Sequence, residues 1–96
     1  MEKLNIEGLI KVCRIHDARR VALFGSFARG EEGPDSDIDL IVEFLSPKGL
    51  LALVRLEREL TELLGRKVDL LTEQAISPHL RERILSEQEV LYEAAG

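Results

Sequence analysis

The segment Asp37-Ile-Asp-Leu-Ile-Val-Glu-Phe44 constrains this chain more than any other. It is aliphatic, and its acids Asp37, Asp39 and Glu43 all fall at alternate positions. Successive residues of a strand face opposite sides, so the acids share one face while Ile38, Leu40 and Val42 share the other. The apolar face has to be covered, and the flanking sequence supplies the cover. Asn5 caps a first helix with Ile6, Leu9, Ile10 and Cys13 on one side, ending near His16–Asp17. Ser46-Pro47 reads as the start of a second, long helix, with Leu50, Leu53, Val54, Leu60, Leu63 and Leu64 as its stripe and Gly65 as its stop. Ser77-Pro78 repeats the start signal ahead of Leu80, Ile84 and Leu85.

Between these lie further extended segments: Arg20–Phe24, Lys67–Leu71 and a short Glu89–Tyr92. The polar run Glu31–Ser36 is a turn. Helices and strands alternate along the chain, which implies an α/β (α+β) fold: a small mixed sheet of about four strands with helices packed on it. With 96 residues, one domain spanning 1–96 is expected.

Composition narrows function by exclusion. Thirteen Lys and Arg against eighteen Asp and Glu leave a formal charge of −5, so net charge alone does not draw the chain to a phosphate backbone, and nucleic acid is disfavoured as a direct partner. The apolar runs are too short for a membrane span, and the acid-containing start MEKLNIEG lacks a signal-like apolar stretch. The single cysteine cannot form an internal disulfide, and on an apolar helix face a packed thiol is the default. A cytoplasmic location is expected.

Asp37 and Asp39 project from one face of their strand, and Asp69, between Val68 and Leu70, points away from the face those two use. If the strands are neighbours, three acids converge. Clustered carboxylates repel unless a cation sits among them, and all-oxygen donor sets suit Mg²⁺ or Mn²⁺. An isolated Asp-x-Asp is more often a turn acid beside a solvated one. The segment upstream changes the balance. Phe24-Gly25-Ser26 ends a buried strand and meets Phe27–Gly30, which can form a helical turn. Free amides there can donate to phosphate oxygens, Gly25 admits close approach, and the Ser26 hydroxyl can donate. His16, His79, Glu43 and Tyr92 read as surface, cap or packing residues.

Gly25-Ser26, ten residues, then Asp37-Ile38-Asp39 resembles the signature of the nucleotidyltransferase superfamily that includes DNA polymerase beta. The longer string GSFARG…DSDIDLIVEF is similar to the minimal nucleotidyltransferases, and the resemblance runs from Arg20 to the closing LYE. It implies a polymerase-beta-like fold. It also implies Asp37, Asp39 and Asp69 as catalytic residues and ligands of two Mg²⁺ ions, with ATP as substrate. Gly25 and Ser26 would seat the outer phosphates and Asp69 would serve as base. Arg29, three residues past Ser26, can reach a phosphate or face solvent. Stand-alone members are similar to the antitoxins of HEPN/MNT toxin–antitoxin pairs. That implies AMP transfer to a tyrosine of a HEPN toxin. Two other functions fit the same residues: a non-catalytic module that neutralises its partner by contact, and a nucleotidyltransferase for RNA ends or a small molecule.

Overall fold

The computed structural model describes residues 4–31, 33 and 36–94. Helix α1 spans Ile6–Ile15, and Asn5 starts it: its Oδ1 accepts the Gly8 amide at 3.0 Å. That bond satisfies a donor with no partner inside the helix, a contribution of ~1 kcal/mol. Leu9 and Cys13 point inward and are fully buried. Strand β1 (Ala18–Phe24) follows, then the one-turn helix α2 (Gly25–Arg29) and strand β2 (Ile38–Phe44). Helix α3 (Leu50–Leu64) leads to β3 (Val68–Thr72), a 3₁₀ turn (Glu73–Ala75), α4 (Pro78–Glu87) and β4 (Glu89–Glu93).

The four strands form one sheet in the order β3-β2-β1-β4. β1 is antiparallel to both neighbours, whereas β2 and β3 are parallel. Parallel neighbours need a crossover, and α3 provides it. The expected mixed four-stranded sheet is therefore present. Its main core lies on the face carrying Val21, Leu23, Ile38, Leu40, Val42 and Val68, packed with Leu9 and Cys13 of α1 and Leu56 and Leu60 of α3. The opposite face has a smaller cluster of Ala22, Ile41 and Ile76, with Phe24 and Ile84 against it. Among the described residues no helix is long and apolar enough to cross a membrane.

Helix α3 departs from expectation at its start. Ser46-Pro47 does not begin it; Gly49 is the N-cap and Leu50 the first helical residue. The reason lies about thirty residues upstream. Asp17 turns the chain in the left-handed region (φ 66°), its carbonyl accepts the Leu45 amide at 2.9 Å, and its carboxylate accepts Lys48 Nζ at 2.8 Å. The segment 45–48 is pinned in non-helical form by those bonds. The apolar stripe also narrows: Leu56 and Leu60 are buried, but Leu50 and Leu51 stand mostly in solvent and Val54 is about half exposed. Likewise Leu80 of α4 is half exposed, and no residue of α4 is fully buried. The C-terminal stop is as expected, with Gly65 left-handed (φ 69°) and its amide bonded to the Thr61 carbonyl. The turn expected at 31–36 lies partly outside the described residues.

α3 also closes the free edge of the sheet. The Val68 amide donates to Thr61 Oγ1 at 3.2 Å and the Leu70 amide to Glu57 Oε2 at 3.1 Å. Those amides would otherwise be open to another strand. β3 is thereby held in register beside β2, which matters for the acids it carries.

Candidate active site

Parallel pairing of β2 and β3 sets Ile38 opposite Val68, Asp39 opposite Asp69 and Leu40 opposite Leu70. The flanking aliphatics enter the main core, so the register fixes both acids on the other face. Asp39 and Asp69 are side-by-side neighbours drawn from segments thirty residues apart. Asp37 sits immediately before β2, within charge range of Asp39.

The third segment arrives from β1. Phe24 pairs with Asp39 across the antiparallel ladder, so Gly25 emerges beside the Asp39 side chain. Gly25 has φ +73°, a region that L side chains rarely enter, and a β-carbon built on it would collide with Asp39 Oδ2. Two independent constraints, backbone conformation and space, require glycine here. The expected helical turn is present, but it begins at Gly25 rather than Phe27. Ser26 is its second residue.

Burial first, then the charges of Asp69 and Asp37 and a hydrogen bond with Asp69, push Asp39 above the usual carboxylate range; Arg29 acts in the opposite direction. A cation among these carboxylates would relieve their repulsion. Lys67 reaches Asp69 only at 3.9 Å from the exposed rim.

Arg29 is a partnered residue. Its Nε donates to Glu31 Oε2 at 2.9 Å, and its Nη1 lies 3.5 Å from Glu87 Oε2 on α4. Sequence reasoning did not anticipate either acid. It also missed Arg66, which donates to the carbonyls of Gly33 and Ser36 at 2.9 and 3.1 Å and lies 5.2 Å above the Phe27 ring. Glu43 shares the acid face but stands at the far end of β2, beside Glu73 and four residues beyond Asp39. A cavity of about 400 Å³ opens at that far end, beside Glu43, Leu45, Lys48 and Glu73, and none of the six expected site residues lines it. His16, expected at the surface or in a cap, pairs with Glu59 of α3 at 2.8 Å.

The sequence pattern of the family described as "Nucleotidyltransferase domain" matches residues 6–91. The chain belongs to that family. It is an enzyme of the nucleotidyltransferase class. A Methanocaldococcus jannaschii protein, provisionally named a protein adenylyltransferase, is 49% identical over 79 residues, covering 82% of this chain and 85% of its own. The protein adenylyltransferase MntA of Thermococcus cleftensis is 38% identical over 74 residues, 77% of this chain and 73% of its own. Among solved structures, a toxin–antitoxin complex with AMP-PNP superposes with a TM-score of 0.85 at 27% identity, over 95% of this chain and 75% of that one.

For this nucleotidyltransferase the fit to a divalent cation rests on donor chemistry. Among the described residues no three His, Cys, Asp or Glu side chains already stand as a metal-holding group. The acids that strand register and charge effects bring together are carboxylates only, the donors preferred by Mg²⁺, and their mutual repulsion is of the kind a divalent cation offsets. By donor chemistry the residues fit the ion.

Proposed function

We propose that this chain is a cytoplasmic, Mg²⁺-dependent protein adenylyltransferase, a single minimal domain that moves AMP from ATP to a tyrosine hydroxyl of a helical HEPN toxin and so acts as its antitoxin. The observation that carries the reading is the in-register pair Asp39–Asp69 with Gly25 pressed against Asp39. Three distant segments meet there, and the resemblance of Gly25-Ser26 and Asp37-Ile38-Asp39 to the nucleotidyltransferase signature supports the reading. Relatives named as protein adenylyltransferases support the reaction. The superposed toxin–antitoxin complex with AMP-PNP supports both the partner class and the nucleotide.

In this reading Asp37, Asp39 and Asp69 hold two Mg²⁺ ions. When bound, the ions offset the charge of the triphosphate and of the attacking and leaving oxygens. Gly25 leaves room for the outer phosphates, and Ser26 donates its hydroxyl to them. Arg29 meets the same phosphates in competition with Glu31 and Glu87. Asp69 takes the proton from the acceptor hydroxyl. The acceptor oxygen bonds to the α-phosphorus, the bond from that phosphorus to the bridging oxygen breaks, and pyrophosphate leaves.

The test uses ATP labelled at the α- or the γ-phosphate, with the partner that co-purifies with the chain. Label from the α-position alone on the partner is expected. Label from the γ-position would make the enzyme a phosphotransferase and end the reading.

A further inference from the structure

Asp37 is the one acid of the three that lies outside a strand, and the polar groups on either side of it are both spoken for. The Ser36 carbonyl, which shares a peptide bond with Asp37, accepts Arg66 Nη1 at 3.1 Å. The Ile38 amide donates to the Lys67 carbonyl at 2.9 Å. Two consecutive residues at the entry of β3 therefore bracket Asp37 from both sides. The same Arg66 nitrogen donates to the Gly33 carbonyl at 2.9 Å, and the Ser36 hydroxyl accepts the Gly33 amide at 2.8 Å, closing the turn upon itself.

The guanidinium makes one more contact. It lies 5.2 Å above the ring of Phe27, the residue after Ser26 on α2. Arg66 thus touches two of the three site segments and belongs to the stretch that leads, three residues on, to Asp69. Its half-buried head sits among backbone carbonyls, an environment in which the planar, multi-donor group of arginine has no equivalent among other side chains.

We propose that Arg66 is a positioning residue of the transfer reaction: it fixes Asp37 and the α2 turn relative to the β3 entry, and hence to Asp69. The inference rests on the adenylyltransferase reading above. Arg66 acts through the Ser36 carbonyl and the Phe27 ring and touches no reacting atom. Displacement of a catalytic group by ~1 Å can cost roughly 10²-fold in rate.

The experiment compares wild type, Arg66→Met and Arg66→Lys, each with the co-purifying partner. Steady-state transfer is read together with amide hydrogen exchange of the free chain. Met keeps the aliphatic stem but loses both carbonyl bonds and the charge over Phe27. Faster exchange is expected at Gly30 and Glu31, whose amides donate to the Phe27 and Ser26 carbonyls, and at Ser36 and Ile38, with Val21 and Leu40 unchanged. The kcat should fall at least tenfold, with less than a threefold change in KM for ATP. Lys keeps the charge over the ring and one donor at a time, so its kcat should lie between the two and its fold is preserved if Met fails to fold. Unchanged exchange, or kcat within twofold of wild type in both variants, overturns the proposal. A wild type that transfers nothing overturns the reaction reading instead, and the exchange data then judge the Arg66 tie alone.

Discussion

Gly25 stands against Asp39 so closely that a β-carbon at 25 would overlap the carboxylate and lie 3.3 Å from its Cγ. The end of β1 and the start of β2 are fitted to each other at the one point where Asp39 and the helical turn must coexist. Substituting Gly25 disturbs both.

Gly25→Ala should therefore lose at least tenfold in transfer rate and lower the melting temperature. Alanine in a left-handed conformation costs ~1–2 kcal/mol before any clash is counted. Gly30 supplies the control. It has φ +71°, but a β-carbon added there would meet nothing within 4 Å, so Gly30→Ala should bear the conformational cost alone and keep most of its activity. Equal loss of activity in both variants would show that strain, not the fit to Asp39, sets the effect.

The raised pKa of Asp39 gives a stability prediction with a definite sign. A carboxyl whose folded pKa exceeds its ordinary 3.8 favours the folded state below that value, and the advantage is lost as pH rises through the folded pKa. At pH 7 without metal, wild type carries the full cost of the charged cluster. Asp37→Asn combined with Asp39→Asn removes it. The double variant should melt a few degrees higher at pH 7, since ~1 kcal/mol corresponds to 4–8 °C in a domain of this size. The difference should shrink toward pH 3.5. Thermal scans across that range in chelator decide it; a lower melting temperature for the variant at pH 7 contradicts the electrostatic account.

Ser26→Ala should weaken ATP more than AMP. A hydroxyl that donates to the outer phosphates, the role proposed for Ser26, contributes ~1.5–3 kcal/mol through a bond to a charged group, and AMP lacks those phosphates. Calorimetry with both nucleotides in Mg²⁺ measures the contrast. Parallel losses would remove Ser26 from the phosphate site.

The shared face of Asp39 and Asp69 was legible because strand periodicity alone separates them from Ile38, Leu40, Val68 and the rest of the core face. Asp37 reads from the same pattern as the first residue of that strand, but β2 begins at Ile38 and Asp37 lies just before it. Gly25 was legible from its place at the end of an apolar strand. Arg66 was not. Its partners are the carbonyls of Gly33 and Ser36, which carry no side-chain signature and lie about thirty residues away. One partner of Arg29, Glu87, was hidden for a similar reason, since it comes near only through the packing of α4 against α2. The start of α3 was misread because Ser46-Pro47 is a sound local signal that the distant bonds from Asp17 override. Local pattern fixes which face a residue takes; it does not say which loop comes to meet it.

Burial pushes the Cys13 thiol up to about 12. At pH 8 the thiol then stays almost wholly protonated, and the sulfur is fully enclosed in the core. Native protein should resist a thiol-specific reagent at pH 8 and react stoichiometrically once unfolded in denaturant. Rapid labelling of the native state would contradict the packing of α1 on the sheet.

The central claim is that the acids of β2 and β3 carry out transfer, and the intact mass of the partner tests it most directly. Purified chain, its co-purifying partner, ATP and Mg²⁺ are mixed, and the partner is weighed by mass spectrometry. The account predicts an added mass of one or more AMP groups with wild type, none with the Asp37→Asn, Asp39→Asn double variant, and a fold intact in both. An unmodified partner with wild type, neutralised equally well by the double variant, would make this chain a binding module and contradict the account.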